Sequence, residues 1–223
     1  MNIVEYADRD MLAIDLANVL AGELENCLLT HDHASFAVPG GSTPGPIFDV
    51  LCAADLAWDR VHVMATDERW VPEGDVRSNA RLIHERLLVN RASAADFMSF
   101  HGTGETLDAT VTELNERMVN ELPLSVLLLG MGPDMHCASL FPGAPELEAA
   151  LASDAPPLMA QTPPTQAEQR VSLTGRILDG ALSKHVVITG DDKRDALNRA
   201  LGMPPEDAPI NAVLDGTTIH WAA

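Results

Sequence analysis

Between Asp8 and Leu29 the apolar residues Met11, Leu12, Ile14, Leu16, Val19, Leu20, Leu24 and Leu28 recur at helical spacing, predicting one amphipathic helix laid on a flat apolar surface. Four short runs supply that surface: SFAV (35–38), RVHVMAT (60–66), SVLLLG (125–130) and HVVITG (185–190). Each is nearly continuous in apolar residues, the pattern of a strand buried on both faces. Each is followed by Gly, Asp or Pro and then by a helical pattern. Strand alternating with helix predicts an α/β fold of Rossmann-like type, a mostly parallel sheet with helices on both faces. The end, INAVLDGTTIHWAA, reads as two further short strands about an Asp-Gly turn, a short C-terminal addition. The Pro-rich stretches 155–164 (APPLMAQTPP) and 203–209 (MPPEDAP) bring no shift in composition, so they read as surface loops within a single domain spanning 1–223.

With 223 residues, 46% of them apolar, the chain has material for a sizeable core. No apolar run reaches the length of a membrane span, and the N-terminus lacks the features of an export signal. Cys27, Cys52 and Cys137 are too few and too scattered for a disulfide framework. A cytoplasmic protein is expected. The net charge of −19 argues against nucleic acid or an anionic membrane as a partner, because such binding draws on clustered Lys and Arg. The same charge repels an anionic small molecule, so binding one requires a few cations placed locally.

In an open parallel sheet, ligands bind beyond the carboxyl ends of the strands. After the first run comes PGGSTPGP, where Gly40 and Gly41 let the backbone approach a ligand, Ser42 and Thr43 carry hydroxyls, and Pro44 suits a first helical position. Gly, Ser and Thr serve both roles, and taken alone the turn reads as a plain helix start before it reads as an anion socket. It lacks the Gly-Lys-Ser/Thr ending of a nucleotide triphosphate loop. After the second run comes TDERWVPEGDVRSNAR. Asp67 and Glu68 offer carboxylates and Arg69 a fork for phosphate or carboxylate, unless the three merely form a surface ion pair worth about 0–1 kcal/mol. Ser78-Asn79 reads as the cap of the next helix.

After the third run, GMGPDMHCASLFPG brings Asp134 and His136 to the strand end before the chain turns helical through Ala138, Ser139 and Leu140. A histidine there suits a general base. Arg170 in QRVSLT and Lys193 in TGDDKRDAL are two more cations. Lys193 stands near a helix N-terminus, a placement easier to understand if it meets an anion. His31 and His33, in the polar loop THDHAS, lack a third convergent ligand, so no metal site is expected. No serine sits in a GxSxG elbow.

With PGGSTP, TDERWVP followed by SN, LLLGMGPDMHCASLFPG, RVSLT and the Lys of TGDDK in this order, the chain resembles the 6-phosphogluconolactonase family over about residues 10 to 215. The third motif is the most specific. The wider group includes glucosamine-6-phosphate deaminase and shares a Rossmann-like fold. The resemblance implies hydrolysis of 6-phospho-D-glucono-1,5-lactone, a phosphorylated sugar lactone, without metal or organic cofactor. It implies that Gly40, Gly41, Ser42 and Thr43 hold the phosphate with Arg170 and Lys193, that Arg69 lies near the ligand, and that His136 is the base, with Asp134 orienting it or supporting its charge. A monomer or weak homo-oligomer is expected.

The family usually reads Asp-Gly-His-Thr where this chain has Asp134-Met135-His136-Cys137, so Met135 faces backbone strain if the position needs positive φ, and a hydroxyl is lost. Cys137 is conceivable as a nucleophile but reads better as a buried cysteine at a helix start. Two other readings stand beside the lactonase: an isomerase or deaminase on an amino-sugar phosphate, with Asp67 as the proton-shuttling base, and a non-catalytic sugar-phosphate sensor, for which the chain has no DNA-binding module.

Overall fold

A computed structural model describes residues 1–101 and 106–223. In chain order the regular elements are β1 (Asn2–Glu5), α1 (Arg9–Leu28), β2 (Ala34–Val38), α2 (Gly45–Leu51), β3 (Val61–Ala65), β4 (Asp67–Arg69), α3 (Asn79–Arg86), β5 (Asp96–Met98), α4 (Leu107–Met118), β6 (Val126–Gly130), α5 (Leu147–Leu151), β7 (Leu158–Gln161), β8 (Arg170–Leu173), α6 (Gly175–Asp179), β9 (Ser183–Thr189), α7 (Asp191–Ala200) and β10 (Thr218–Ala222). The four apolar runs are the central strands β2, β3, β6 and β9. Each is bonded to its neighbours in parallel in a seven-stranded sheet of order β1-β10-β9-β6-β2-β3-β5. All five residues of β2 are buried, so the middle of the sheet is covered on both faces, as its unbroken apolar character requires.

From β2 the chain runs outward through β3 to β5. It then returns to β6 on the other side of β2 and continues outward through β9. The direction of winding reverses between β2 and β6, and the crevice beyond their carboxyl ends is the usual ligand position of such a sheet. PGGSTP follows β2 and GMGPDMH follows β6, so the winding alone brings these two motifs together.

Helix α1 opens at Asp8, whose carboxylate accepts from the Met11 amide at 2.8 Å. Its buried stripe runs through Leu12, Leu16, Leu20, Leu24 and Leu28. Met11, Ile14 and Val19, counted with that face in the sequence pattern, lie off the stripe and are exposed.

Two expectations are corrected. Residues 155–164 are not a plain loop, for β7 pairs there with β8, and β8 with β4, in a small antiparallel sheet. The C-terminal segment holds one strand rather than two, since Pro209–Ala212 forms a 3₁₀ turn. That strand is β10. It sits between β1 and β9, leaving the N-terminal β1, which the apolar pattern did not reveal, at the edge.

Strands β9 and β10 bury a polar relay. Tyr6 Oη lies 2.8 Å from His220 Nδ1, His220 Nε2 lies 3.0 Å from His185 Nδ1, and His185 Nε2 lies 2.7 Å from Glu23 Oε2. Burial, and next the neighbouring His185, push the His220 imidazole down to about 4, although the Glu23 carboxylate opposes them. The folded protein therefore refuses a proton that the unfolded chain takes up near pH 6.5. Stability should be fully present above pH 6.5 and decline by up to about 3 kcal/mol as pH falls toward 4. Urea unfolding at pH 7 and pH 4.5 should show this decline in the wild type and a smaller one in His220→Asn. Equal declines would remove His220 as the cause.

Candidate active site

Gly40 to Thr43, Asp67, Arg69, His136, Arg170 and Lys193 line one solvent-open cavity of about 320 Å³, while Asp134 and Glu68 act on it through His136 and the Arg69 amide. Five chain segments far apart in sequence thus meet beyond the carboxyl ends of the sheet.

The turn after β2 leaves backbone donors free. Among the described residues no acceptor meets the amides of Gly41, Ser42 or Thr43, and Gly41 has φ +88°, which suits glycine. Pro44 stands one position before helix α2 rather than within it, and no side chain caps that helix. Gly40 is held to glycine for another reason, since a Cβ there would come 1.7 Å from Asn79 Oδ1. Asn79 is a site residue that sequence reasoning took only for part of a helix cap. Its side chain accepts from Arg69 Nη1 and donates to the Asp67 carbonyl at 2.6 Å, so it aims Arg69. Glu68 fixes the same corner. Its carboxylate accepts from Ser78 Oγ at 3.0 Å and from the amides of Arg69, Asn79 and Ala80 at 2.7, 2.8 and 2.7 Å. Ser78 itself caps α3, accepting from Arg81 N at 3.2 Å.

The loop after β6 is a tight turn and not the expected helix start. Gly132 N donates to the His136 carbonyl at 2.9 Å, Met135 N donates to the Gly132 carbonyl at 3.0 Å, and Ala138 has φ +47°. Met135 has φ +68°, so the strain anticipated for a side chain here is present, at a cost of about 1–2 kcal/mol. Its carbonyl accepts from Ile210 N at 3.1 Å and its side chain packs on the core, contacts that hold the conformation.

The turn places Asp134 Oδ1 2.5 Å from His136 Nδ1, which fixes the proton on Nδ1 and leaves Nε2 as the basic atom. The His136 ring leans on Phe141, with centroids 4.3 Å apart. Burial raises the Asp134 carboxyl, but the hydrogen bond and charge of His136 outweigh it, and the carboxyl is held below its usual value. Gly132 was not singled out in the sequence, yet a Cβ there would lie 2.1 Å from His136 Nδ1 and 2.4 Å from Asp134 Oδ1. Only glycine leaves room for the pair.

Three cations face the cavity. Arg170 is nearly closed off from solvent, lies 3.7 Å from Asp67 Oδ2, and carries a buried Nε with no partner among the described residues. Burial pulls its guanidinium down, while the Asp67 carboxylate opposes the shift. Lys193 donates to the Met131 carbonyl at 2.6 Å from the first turn of α7. Burial lowers this ammonium too, partly countered by Asp134.

Asp67 borders the cavity, but both its oxygens are engaged. Oδ2 accepts from Ser139 Oγ at 2.5 Å and Oδ1 from Thr66 Oγ1 at 3.1 Å. Cys137 is buried but stands in the turn, not at a helix start. Burial, and then Asp67, push its thiol up to about 12, so it stays protonated at neutral pH. His31 and His33 lie away from this cleft. His33 meets His62 and Glu121 before the other ends of the strands. Among the described residues no helix is long and apolar enough to cross a membrane.

A profile of the family described as glucosamine-6-phosphate isomerases/6-phosphogluconolactonase matches residues 7–221. The chain is 39% identical to a 6-phosphogluconolactonase of Mesorhizobium japonicum, over 97% of this chain and 93% of that one. It is 35% identical to one of Pseudomonas putida, over 99% and 93%. The crystal structure of a 6-phosphogluconolactonase from Shewanella baltica superposes with a TM-score of 0.95 at 32% identity, covering 100% of this chain and 98% of the other.

Proposed function

The chain belongs to the family of glucosamine-6-phosphate isomerases and 6-phosphogluconolactonases, and from that premise we propose that it hydrolyses 6-phospho-D-glucono-1,5-lactone to 6-phosphogluconate, with His136 as general base. The observation that carries the assignment of the base is the 2.5 Å contact of His136 Nδ1 with Asp134, in a cleft that also holds three cations and a turn of free amides.

The phosphate sits on the amides of Gly41 to Thr43, with Arg170 and Lys193 supplying charge-assisted hydrogen bonds. Arg69, aimed by Asn79, reaches the ligand beside them. With the phosphate fixed, the lactone carbonyl C1 is held toward His136, which makes the attack effectively intramolecular. His136 Nε2 takes a proton from water as its oxygen bonds to C1, giving a tetrahedral oxyanion. The oxyanion collapses, the bond from C1 to the ring oxygen breaks, and the imidazolium returns its proton to that oxygen. Asp134 keeps Nδ1–H in place and offsets the positive charge of the intermediate. The proton balance closes on one histidine.

Asp67 as a base, the requirement of the isomerase reading, is disfavoured by its bonds to Ser139, Thr66 and Arg170. The lactone is generated in place by oxidation of glucose 6-phosphate and its loss followed against the spontaneous reaction. The protein should speed that loss at catalytic concentration and release no ammonia from glucosamine 6-phosphate. Ammonia release without lactone turnover would replace the hydrolase with the deaminase.

A further inference from the structure

At the amino-terminal edge of the main sheet, away from the cleft, three chain segments converge. His33 immediately precedes β2, His62 is the second residue of β3, and Glu121 ends the 3₁₀ turn Val119–Glu121 that leads toward β6. Since β6, β2 and β3 are adjacent in the sheet, parallel pairing brings the three side chains to one place. We propose that His33, His62 and Glu121 form a binding site for a divalent transition-metal ion of the zinc class.

The donor spacing supports this. His62 Nδ1 lies 3.0 and 3.1 Å from the two Glu121 oxygens, His33 Nε2 lies 3.5 Å from Oε2, and one donor atom from each residue falls within 4.8 Å of the other two. Ligands about 2.0–2.1 Å from a tetrahedral ion stand about 3.3 Å from each other, so the carboxylate already keeps the separation such an ion imposes. The two imidazoles stack with centroids 4.3 Å apart and planes within 11°. Closing both on one ion takes a rotation of His33, the more exposed of the two at 37% against 27%.

Charge points the same way. The Glu121 side chain is only 15% exposed, and among the described residues no Lys or Arg pairs with it. A carboxylate so withdrawn from water calls for a cation. The Glu121 backbone is anchored as well, its carbonyl accepting from Ser35 Oγ at 2.8 Å. A solvent-open cavity of about 380 Å³ borders His33 and Glu121, giving an ion a path in and room for a water as fourth ligand. The net charge of −19 raises the local concentration of any cation. Two imidazole nitrogens and one carboxylate select zinc and its neighbours over magnesium or calcium. The ion would tie together the entries of three adjacent strands and stabilise the fold by mass action.

The test titrates chelator-treated full-length protein with Zn²⁺ by calorimetry and with Co²⁺ by visible absorption, where a four-coordinate ion gives intense d–d bands. One equivalent should bind, the thermal midpoint should rise with Zn²⁺, and affinity should fall by about 100-fold or more in His62→Ala and in Glu121→Gln. His33→Gln, at a half-exposed position, repeats the test where folding is least at risk, and circular dichroism checks each variant. His136→Ala should bind as the wild type does. No uptake at about tenfold excess of Zn²⁺ overturns the proposal. Uptake that survives all three ligand substitutions, or that vanishes in His136→Ala, does so equally.

Discussion

His136→Ala should lower kcat for the phosphorylated lactone by about 10²- to 10⁴-fold, or about 3–5 kcal/mol of transition-state stabilisation, with KM little changed. The direction follows from when the imidazole acts. It gains its proton only as water attacks, so its contribution belongs to the transition state and not to the bound substrate. The groups proposed to hold the phosphate, Gly41 to Thr43, Arg170 and Lys193, are untouched by the substitution. Asp134→Asn should cost less, because Asp134 works through the ring by fixing the proton on Nδ1 and balancing the imidazolium charge. Both should unfold near the wild-type temperature, since Asp134 and His136 lie in a partly exposed turn. Rates are measured with the lactone generated in place and the uncatalysed loss subtracted. Acceleration that persists in His136→Ala would transfer the role of base to another group, with Asp67 the first to test.

Much of the frame was legible because β2, β3, β6 and β9 are buried on both faces, and such strands write themselves as apolar runs. Strands β4, β7 and β8 left no such mark. Residues 67–69 are Asp, Glu and Arg, and β7 lies between proline pairs. What makes them strands is the antiparallel pairing of Asp67 with Ser172 and of Leu158 with Leu173, partners distant in sequence. The helix expected after His136 failed for a local reason, as Ala138 takes φ +47° and the turn closes with a bridge between Cys137 and Leu140.

The site divides along the same line. Of the residues proposed to carry the chemistry, His136, Asp134, Arg69 and Lys193 could be singled out from their type and their place after a strand, and Arg170, the first residue of β8, from its charge. Residues that act by the space or aim they give to others could not. Gly132 matters through the atoms a Cβ would strike, Asn79 through the guanidinium it holds, and Ser139 through its bond to Asp67. Position after a strand carries no information about such contacts. The cluster at the amino-terminal ends of the strands shows the same limit, because His33 alone in a polar loop gives no sign that His62 and Glu121 meet it.

Removing the phosphate from the substrate should reduce kcat/KM by about 10²- to 10⁴-fold, taking two charge-assisted hydrogen bonds lost at about 1.5–3 kcal/mol each. The protein has every reason to concentrate recognition there. At a net charge of −19 its general field repels the substrate, and 14 Lys and Arg are set against 33 Asp and Glu, so three cations in one cleft are a costly local reversal. Arg170 is the clearest case, since it is nearly closed off from water and its Nε is unpartnered among the described residues. Its nearest carboxylate, Asp67, stands 3.7 Å away, so a cation so desolvated gains from a closer anion. Comparing phosphorylated and unphosphorylated gluconolactone on wild type, Arg170→Gln and Lys193→Met separates phosphate binding from every other role. If these cations grip the phosphate, each substitution should raise KM for the phosphorylated lactone and leave the slow turnover of the other unchanged. Equal losses on both substrates would move the cation concerned from the phosphate to the reacting carbonyl, where its contribution would be to the oxyanion.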